Sequence, residues 1–168
     1  MAKAAQAKTK TRAPKASGQD AIALLEADHR EVERLFEAYE GLSNDADKKA
    51  LAAQICLALK VHAQIEEEIF YPQARAKTGD TDLLDEALVE HMGAKTLIAQ
   101  IEAMSPGQPL YDARVTVLGE QVRHHVEEEE GVLFPKVRDA KINLNEIGAK
   151  LAARKAELLK QLSTPGDA

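Results

Sequence analysis

Apolar residues recur three and four positions apart along four long stretches of the chain, which is the spacing of one face of an α-helix. Breaks rich in Gly, Ser, Asp and Pro separate these stretches at residues 41–45, 77–82 and 105–109. The pattern therefore predicts four long helices, the last of them ending near residue 138. Because short connections make consecutive helices antiparallel neighbours, the predicted fold is all-α, an antiparallel up-down-up-down four-helix bundle.

Local signals set the ends of the predicted helices. Ser17 and Asp20 fit a capping box that opens the first helix, and Pro72 is expected to kink or end the second. Beyond the bundle, Asn143 or Asn145 is expected to cap an extra C-terminal helix that has an apolar face of its own. That helix would either cover the bundle or mediate dimerisation, and the sequence does not choose between the two.

Each of the four bundle helices carries a histidine in the middle of its otherwise apolar face. The inward faces read as follows: Ile22, Leu25, His29, Val32, Phe36 and Tyr39; Leu51, Ile55, Ala58, His62, Glu66 and Ile69; Leu84, Leu88, His91, Ala94 or Lys95, Ile98 and Ile101; Val115, Leu118, Val122, His125, Glu129 and Val132. His125 keeps this register, whereas the neighbouring His124 is rotated by about 100° and falls off the inward face. The other polar residues of this stretch are expected to be solvated or to support the inner ones: His124, Glu127, Glu128 and Glu130.

The inward polar residues divide into two similar hairpins. Each hairpin has one histidine on its first helix and, on its second, a histidine followed four residues later by a glutamate. That step places imidazole and carboxylate on one helix face, about 6 Å apart along the axis. In both hairpins a proline follows the second histidine by 10 residues, which supports the pairing. The six residues are His29, His62 and Glu66 in the first hairpin and His91, His125 and Glu129 in the second.

Four imidazoles and two carboxylates are costly to bury inside a bundle, because they lose their hydration. Metal ions would remove that cost, since imidazole nitrogen and carboxylate oxygen are common metal ligands. Six ligands exceed the four of a tetrahedral zinc ion and match two ions, each with two histidines and bridged by the two carboxylates. Mixed ligands with positions left open suit iron better than zinc, calcium or magnesium.

Together these motifs resemble the hemerythrin-like, HHE cation-binding domain family. The matching stretches are LLEADHREVERLFEAYE, HAQIEEEIFYPQ, LVEHMGAK and HHVEEEEGVLFP, and the C-terminal EIGAKLAARKAELL is also similar to such proteins. The resemblance implies a hemerythrin-like bundle with a non-haem di-iron centre, whose two iron ions are joined by an oxo or hydroxo bridge. The implied ligands are His29, His62, Glu66, His91, His125 and Glu129, the two glutamates bridging.

The chain departs from the oxygen-carrying hemerythrins at two positions. Those carriers place a further histidine one turn after the third-helix ligand, where this chain has Lys95. Their fourth-helix acid is usually an aspartate five residues after its histidine, whereas Glu129 follows by four. The chain is therefore more similar to the bacterial stand-alone HHE proteins. With two histidines per iron, both irons would keep exchangeable positions for O₂, NO, peroxide or water, which favours redox turnover over reversible carriage.

Three functional hypotheses follow. The first is a di-iron protein that binds or reacts with O₂, NO or peroxide in sensing, iron handling or the response to oxidative or nitrosative stress. The second is a redox enzyme with catalase-, peroxidase- or ferroxidase-like activity. The third is a helical interaction module with a structural metal. The motifs assign no residue a catalytic role, and they leave a homodimer open.

Several side chains near the inward faces have two interpretations. Lys95 either hydrogen-bonds a bound anion or extends to solvent while Ala94 packs inward. Tyr39 and Tyr71 are either core residues or additional ligands or electron donors. Cys56 is expected to be a packed, inert thiol. Three aromatic residues either shield the site from water or belong to the ordinary core: Phe36, Phe70 and Phe134.

Composition and charge limit the kinds of partner that the folded part of the chain is expected to bind. Residues 1–17 carry five Lys or Arg and no acid, so the total of −6 leaves −11 on the remaining 151 of 168 residues. An acidic folded part argues against nucleic-acid binding, while residues 1–17 are expected to form a disordered basic tail, either solvated or a targeting or nucleic-acid-contacting arm. No apolar run predicts a membrane span, and the single cysteine indicates a reducing, cytoplasmic setting. The bundle is assigned to residues 18–140, and the C-terminal helix with a short tail to 141–168.

Overall fold

The computed structural model describes residues 19–163 of the chain. These residues form seven α-helices and two π-helical segments with short connections. The α-helices are α1 (Ala21–Glu40), α2 (Asp45–Ile65), α3 (Tyr71–Thr78), α4 (Thr81–Glu102), α5 (Tyr111–Glu128), α6 (Phe134–Asp139) and α7 (Leu144–Ser163). The π segments are π1 (Glu66–Phe70), between α2 and α3, and π2 (Glu129–Leu133), between α5 and α6. None of these helices has the length and apolar character needed to cross a lipid bilayer.

The four long helical stretches pack as a bundle in the order of the chain. α1 contacts α2 and α5, and α4 contacts the same two helices, so each helix lies beside its neighbours in sequence. This confirms the predicted all-α four-helix bundle with an extra C-terminal helix. The predicted disordered tail of residues 1–17 lies outside the described residues.

The first helix is capped by a different residue from the one expected. The Asp20 side chain accepts a hydrogen bond from the backbone N–H of Ala23 at 2.9 Å, which makes Asp20 the N-cap of α1. The predicted capping box with Ser17 as its N-cap is therefore wrong, since the helix begins at Ala21. Ser17 itself lies outside the described residues.

Pro72 does not end its helix, which continues to Thr78. A proline inside a regular helix removes a hydrogen bond and clashes with the carbonyl group four residues earlier. The π1 turn just ahead of Pro72 relieves this conflict, because the Tyr71 N–H donates to the Glu66 carbonyl, five residues back. The second hairpin has the same arrangement at π2. The prediction was that Pro72 would kink or end the helix. The second of these alternatives is wrong, because the helix continues past Pro72.

Each π segment also changes which residues face the core. A π turn takes up one more residue than an α turn, so the inward face moves on by one position. Val132, predicted to face inward, is 43% exposed, whereas Leu133 and Phe134 are buried. In π1, Ile69 is only half-buried and Phe70 is buried instead. The prediction failed here because it assumed a period of 3.6 residues throughout.

The C-terminal helix covers one side of the bundle. α7 packs against α1, α2 and π1, and the Asn143 side chain caps it by accepting from the Glu146 N–H at 3.3 Å. Gly148 permits the close approach to α1, because a Cβ atom there would lie 2.4 Å from the Gln19 carbonyl oxygen and 2.8 Å from the Ala21 nitrogen. Of the two roles considered for this helix, covering the bundle is the one observed.

Replacing Gly148 with alanine should destabilise the protein by about 1–3 kcal/mol, because the added methyl group overlaps backbone atoms that cannot rotate away. The melting temperature should fall by roughly 2–4 °C for each kcal/mol in a domain of this size. Gly131→Ala is the matched control, since a Cβ atom there meets nothing within 4 Å. Equal melting temperatures for the Gly148→Ala and wild-type proteins would contradict this close packing of α7.

The core consists of two apolar clusters with a polar layer between them. One cluster includes Ile22, Leu25, Ile65, Phe70, Phe134 and Leu151. The other includes Phe36, Ile55, Cys56, Ile98, Tyr111 and Leu118. Within the described residues, the buried histidine and carboxylate side chains are the six of the intervening layer: His29, His62, Glu66, His91, His125 and Glu129.

Candidate metal centre

Two pairs of histidines face each other in the polar layer. His29 of α1 and His62 of α2 bring their Nε2 atoms to 3.1 Å. His91 of α4 and His125 of α5 bring theirs to 3.2 Å. Each pair therefore joins the two helices of one hairpin, and all four histidine residues are at most 7% exposed.

Glu66 lies between the two histidine pairs. Its Oε1 atom is 3.2 Å from His62 Nε2, and its Oε2 atom is 3.4 Å from His91 Nε2. The residue is fully buried, at 0% exposure. A single carboxylate thus reaches one histidine of each pair.

Glu129 makes the same connection from the second hairpin. Its Oε2 atom lies 3.4 Å from His29 Nε2 and 3.5 Å from His125 Nε2. Its Oε1 atom accepts a hydrogen bond from the Tyr71 hydroxyl at 2.8 Å. The two glutamates together connect all four histidines.

Every histidine of the layer also has an outer carboxylate at its Nδ1 atom. The pairs are His29 with Glu130 at 2.8 Å, His62 with Asp28 at 3.4 Å, His91 with Glu67 at 2.8 Å, and His125 with Glu90 at 2.7 Å. Because an ionised carboxylate can only accept, Nδ1 is the donor, and in a neutral ring Nε2 is then left bare. Two bare nitrogens at these separations repel each other unless a cation lies between them.

The inner carboxylates have the same need for a cation. Glu66 Oε1 and Glu129 Oε2 are buried without a hydrogen-bond partner. Buried acceptors are rarely left in that state, since their lost hydration is not replaced. Bare imidazole nitrogens and unpartnered carboxylate oxygens at one place are the donor set of a metal ion, and outer carboxylates on ligating histidines are its usual support.

In the metal-free chain, protons supply part of the missing positive charge. Burial opposes protonation of His62, but Glu66 and Asp28 outweigh it and raise the pKa of His62 to about 10. Burial opposes protonation of His125 in the same way, but its carboxylate neighbours Glu129 and Glu90 outweigh it and raise the pKa of His125 to about 10. One histidine of each pair therefore binds a proton at neutral pH, where a metal ion would replace it.

Sequence reasoning missed most of the outer carboxylates. Glu130 was assigned only a general solvated or supporting role, and the other three were not considered. A signal exists, because each outer acid is adjacent in sequence to an inner residue. Asp28 and Glu90 precede the first histidine of their hairpins, whereas Glu67 and Glu130 follow the inner glutamates.

Tyr71 is the one tyrosine of the two candidates that reaches the layer. Its hydroxyl is within 3.4 Å of Glu66 Oε2 and of His91 Nε2, in addition to its bond to Glu129. Burial, with the carboxylates around it, raises the pKa of its phenol well above the ordinary value. Tyr39 instead donates to Asp112 at 2.7 Å, away from the layer.

Three other predictions concern residues next to the layer. Lys95 is exposed, and its ammonium group donates to both oxygens of Glu67 at 2.6 and 2.7 Å, while Ala94 is partly buried. Cys56 is packed in an apolar cluster, and burial raises the pKa of its thiol to about 11, as expected of an inert thiol. Phe134 stacks on His29 with a centroid separation of 5.9 Å. Phenylalanine thus shields this side of the layer.

A cavity of about 40 Å³ borders the polar layer. All four histidines line it, whereas Glu66 and Glu129 do not. Apolar side chains make up much of the rest of its wall: Val32, Leu59, Ala63, Ala94, Ile98, Val122 and Val126. Since a water molecule needs about 10–15 Å³ by this measure, the cavity has room for a ligand of two or three heavy atoms. Lys95 also lies on its wall.

Changing Glu130 to glutamine should weaken metal binding by about 10–100-fold and leave the number of bound ions the same. The reason is that a neutral amide holds the His29 ring less firmly and lowers its basicity. Competition with a chelator of known affinity would measure the change. Glu127→Gln removes a charge from an exposed neighbouring position and is the control. Equal affinities in the two variants would show that the Glu130 contact has no part in binding.

Comparison with known proteins finds one matching family and two similar proteins. A family described as the hemerythrin HHE cation binding domain matches residues 20–137. A DNA nickase from Nostoc sp. strain PCC 7120 is 38% identical over 117 residues, which are 69% of this chain and 33% of that protein. The chain thus spans about a third of this relative. A crystal structure of an HHE cation binding domain-containing protein from Mycobacterium kansasii superposes with a TM-score of 0.75 at 25% identity, covering 88% of this chain and 94% of that one.

Proposed function

The chain belongs to the hemerythrin HHE cation-binding domain family, and from that premise we propose that it holds two iron ions and binds or reacts with O₂, NO or peroxide at them. The proposed ligands are His29, His62, Glu66, His91, His125 and Glu129. The two groups of candidate donor atoms inside the polar layer share Glu66, in keeping with a bridging role, and each of these two groups contains two histidines.

The observation that carries the choice of ligand is the cavity of about 40 Å³ that all four histidines line. Its size suits a diatomic molecule or peroxide, and its apolar walls favour O₂ and NO over ions that need hydration. A purely structural metal would require no such space beside it. Iron, when bound, would supply open coordination positions and electrons for these ligands.

The chain's own residues hold and shield the site. The outer carboxylates orient the histidines through Nδ1 and so direct Nε2 inward. Phe70 and Phe134 are 1% and 2% exposed and exclude water from one end of the layer. The proposed role is therefore in sensing, iron handling or the response to oxidative or nitrosative stress, all of which need a shielded iron pair with access for small molecules.

A redox enzyme of the catalase, peroxidase or ferroxidase type is the second candidate. Tyr71 favours it, because a buried phenol bonded to Glu129 at 2.8 Å is close enough to pass an electron and a proton to the centre. DNA nicking, which the name of the Nostoc relative describes, is not proposed here. The chain matches only 33% of that protein, and the −11 charge on residues 18–168 repels a phosphate backbone.

Metal analysis combined with rapid mixing tests the proposal. Protein reconstituted anaerobically with Fe²⁺ should contain two ions per chain, and its visible and near-ultraviolet absorption should change on mixing with O₂, NO or peroxide. Rapid repeated consumption of peroxide would favour the enzyme, and a stable adduct would favour binding or sensing. A colourless protein that holds zinc and ignores all three ligands would refute both.

Lys95→Ala should change the rate of reaction with peroxide or azide by about tenfold, because Lys95 lines the cavity and holds Glu67, the carboxylate that supports His91. Stopped-flow absorption measures this rate. Lys60→Ala, which removes a surface lysine paired with Glu102, is the control and should react as the wild-type protein does. A rate unaffected by the Lys95 substitution would remove this residue from the mechanism.

A further inference from the structure

The two hairpins are alike inside the bundle but differ on their outer sides. His124 and Glu128 of α5 correspond to Val61 and Ile65 of α2, since each stands one residue before or three residues after the inner histidine of its helix. Val61 and Ile65 are 1% and 0% exposed, in the apolar cluster to which α7 contributes Leu151. The His124 side chain is 64% exposed. Thus α7 covers this side of the first hairpin, and the same side of the second is open to solvent.

The outer carboxylates show the same asymmetry in charge. Three of them pair with a cationic side chain: Asp28 with Lys155, Glu67 with Lys95 and Glu130 with Arg30. Glu90, the fourth, has no lysine or arginine within 4.0 Å in the part of the chain that is described. Its neighbours on the open side are His124 and Glu128. Negative charge therefore accumulates at this one place on the outside of the layer.

These three side chains have the geometry of a cation site. His124 Nε2 lies 3.7 Å from Glu90 Oε1 and 3.6 Å from Glu128 Oε1. One ligand atom from each residue lies within 4.8 Å of the others. A cation at the centre of this group would contact an imidazole nitrogen and two carboxylate oxygens after only small side-chain rotations.

A small cavity borders both the two carboxylates of this group and the polar layer, although His124 does not line it. Its volume is about 10 Å³, room for about one water-sized particle, and its lining includes Glu90 and Glu128 from the outer group and His125 and Glu129 from the layer. Glu129 is 98% buried, and its Oε2 atom, which has no hydrogen-bond partner, lies 3.5 Å from His125 Nε2 and so belongs to the layer that the ion would enter. Glu90 spans the two regions, because its other oxygen accepts from His125 Nδ1 at 2.7 Å.

We propose that Glu90, His124 and Glu128 bind a divalent transition-metal ion, Fe²⁺ in the cell, at the surface and pass it to the buried centre. One imidazole and two carboxylates suit Fe²⁺, Mn²⁺ or Zn²⁺ better than the all-oxygen preference of Ca²⁺ and Mg²⁺. Three partly exposed protein ligands hold the ion loosely enough for it to leave again. The inference rests on the proposed function, since the ion needs a buried pair of sites to receive it.

Anaerobic calorimetric titration of metal-free protein with Fe²⁺ tests the binding step. Wild-type protein should bind two ions tightly and a third at least tenfold more weakly. A variant with His124→Ala and Glu128→Gln should lose the third ion and keep the two tight ones. Glu127→Gln, an exposed acid outside the group, should keep all three. A wild-type protein with two ions and no third, or a third ion that survives in the double variant, would overturn the inference.

Rapid mixing with Co²⁺, whose visible absorption reports on its ligands, tests the transfer step. The double variant should fill the buried centre about tenfold more slowly and reach the same final content of two ions. Filling at the wild-type rate would overturn the transfer role while leaving the proposed function intact. Failure of the wild-type protein to bind any ion tightly would instead refute the proposed function, and this inference with it.

Discussion

Replacing Glu66 with alanine is expected to reduce the metal content from two ions per chain to at most one. Glu66 reaches a histidine of each pair, at 3.2 Å from His62 Nε2 and 3.4 Å from His91 Nε2, so its loss removes a ligand from both sites at once. Inductively coupled plasma analysis of protein reconstituted anaerobically with Fe²⁺ measures the content. Glu127→Ala, at an exposed acid, should retain both ions.

The stability of the metal-free variant separates loss of ligands from misfolding. In the metal-free protein Glu66 stabilises the protonated His62 against the cost of its burial, so metal-free Glu66→Ala protein should melt lower than metal-free wild-type protein while still unfolding cooperatively. The rise in melting temperature on adding Fe²⁺ should shrink or vanish in the variant. Two retained ions in a correctly folded Glu66→Ala protein would refute the bridging role of Glu66.

Removal of the metal should lower the melting temperature by about 15–30 °C. An ion present at about 1,000 times its dissociation constant stabilises the folded state by about 4 kcal/mol, and two ions contribute twice that. A domain of this size gains roughly 2–4 °C for each kcal/mol. Differential scanning calorimetry before and after dialysis against a chelator measures the change. Mg²⁺ should not restore the stability, since it prefers oxygen ligands in a rigid octahedron.

The stability lost on metal removal should depend on pH. In the metal-free protein the pKa values of His62 and His125 are raised to about 10. The stability from these protonated rings is therefore complete below their ordinary pKa of about 6.5 and is lost as the pH rises through about 10. Metal binding needs deprotonated rings and gains from higher pH. The difference in stability between metal-loaded and metal-free protein should thus widen as the pH rises from about 6.5 to about 10. A difference that stays constant over this range would contradict a metal centre built on these histidines.

The repeating pattern was sufficient to predict the fold and the composition of the buried polar layer. Ile22, Leu25, His29, Val32 and Phe36 all face inward in α1, because a regular helix carries its spacing of three and four residues unchanged over its whole length. The same reasoning applied to each helix gave the six side chains that the structure buries, and the family comparison agrees with the fold. That these side chains bind metal, and that the metal is iron, remain predictions.

Where the helix is not regular, the sequence pattern was misleading. The predictions for Val132 and Pro72 failed at the two π segments, since one extra residue in a turn moves every later side chain around the axis. Both segments begin at the inner glutamates, Glu66 and Glu129. The irregularity therefore lies where the layer needs its carboxylates placed, which no local propensity encodes.

Where the helices are regular, the sequence by itself determined which side chains turn inward and that the polar ones lie at one level of the bundle, because helical periodicity is a local property of the chain. Only the tertiary structure decided which outer acid meets which histidine. Glu130 supports His29 from 101 residues away in the sequence. Glu90 of α4 likewise faces His124 of α5. Such contacts are made between different helices of the bundle. The cavity beside the histidines and the covering of the bundle by α7 are likewise formed by several helices together. These features depend on how the helices pack against each other, which the spacing of apolar residues within a single helix does not determine.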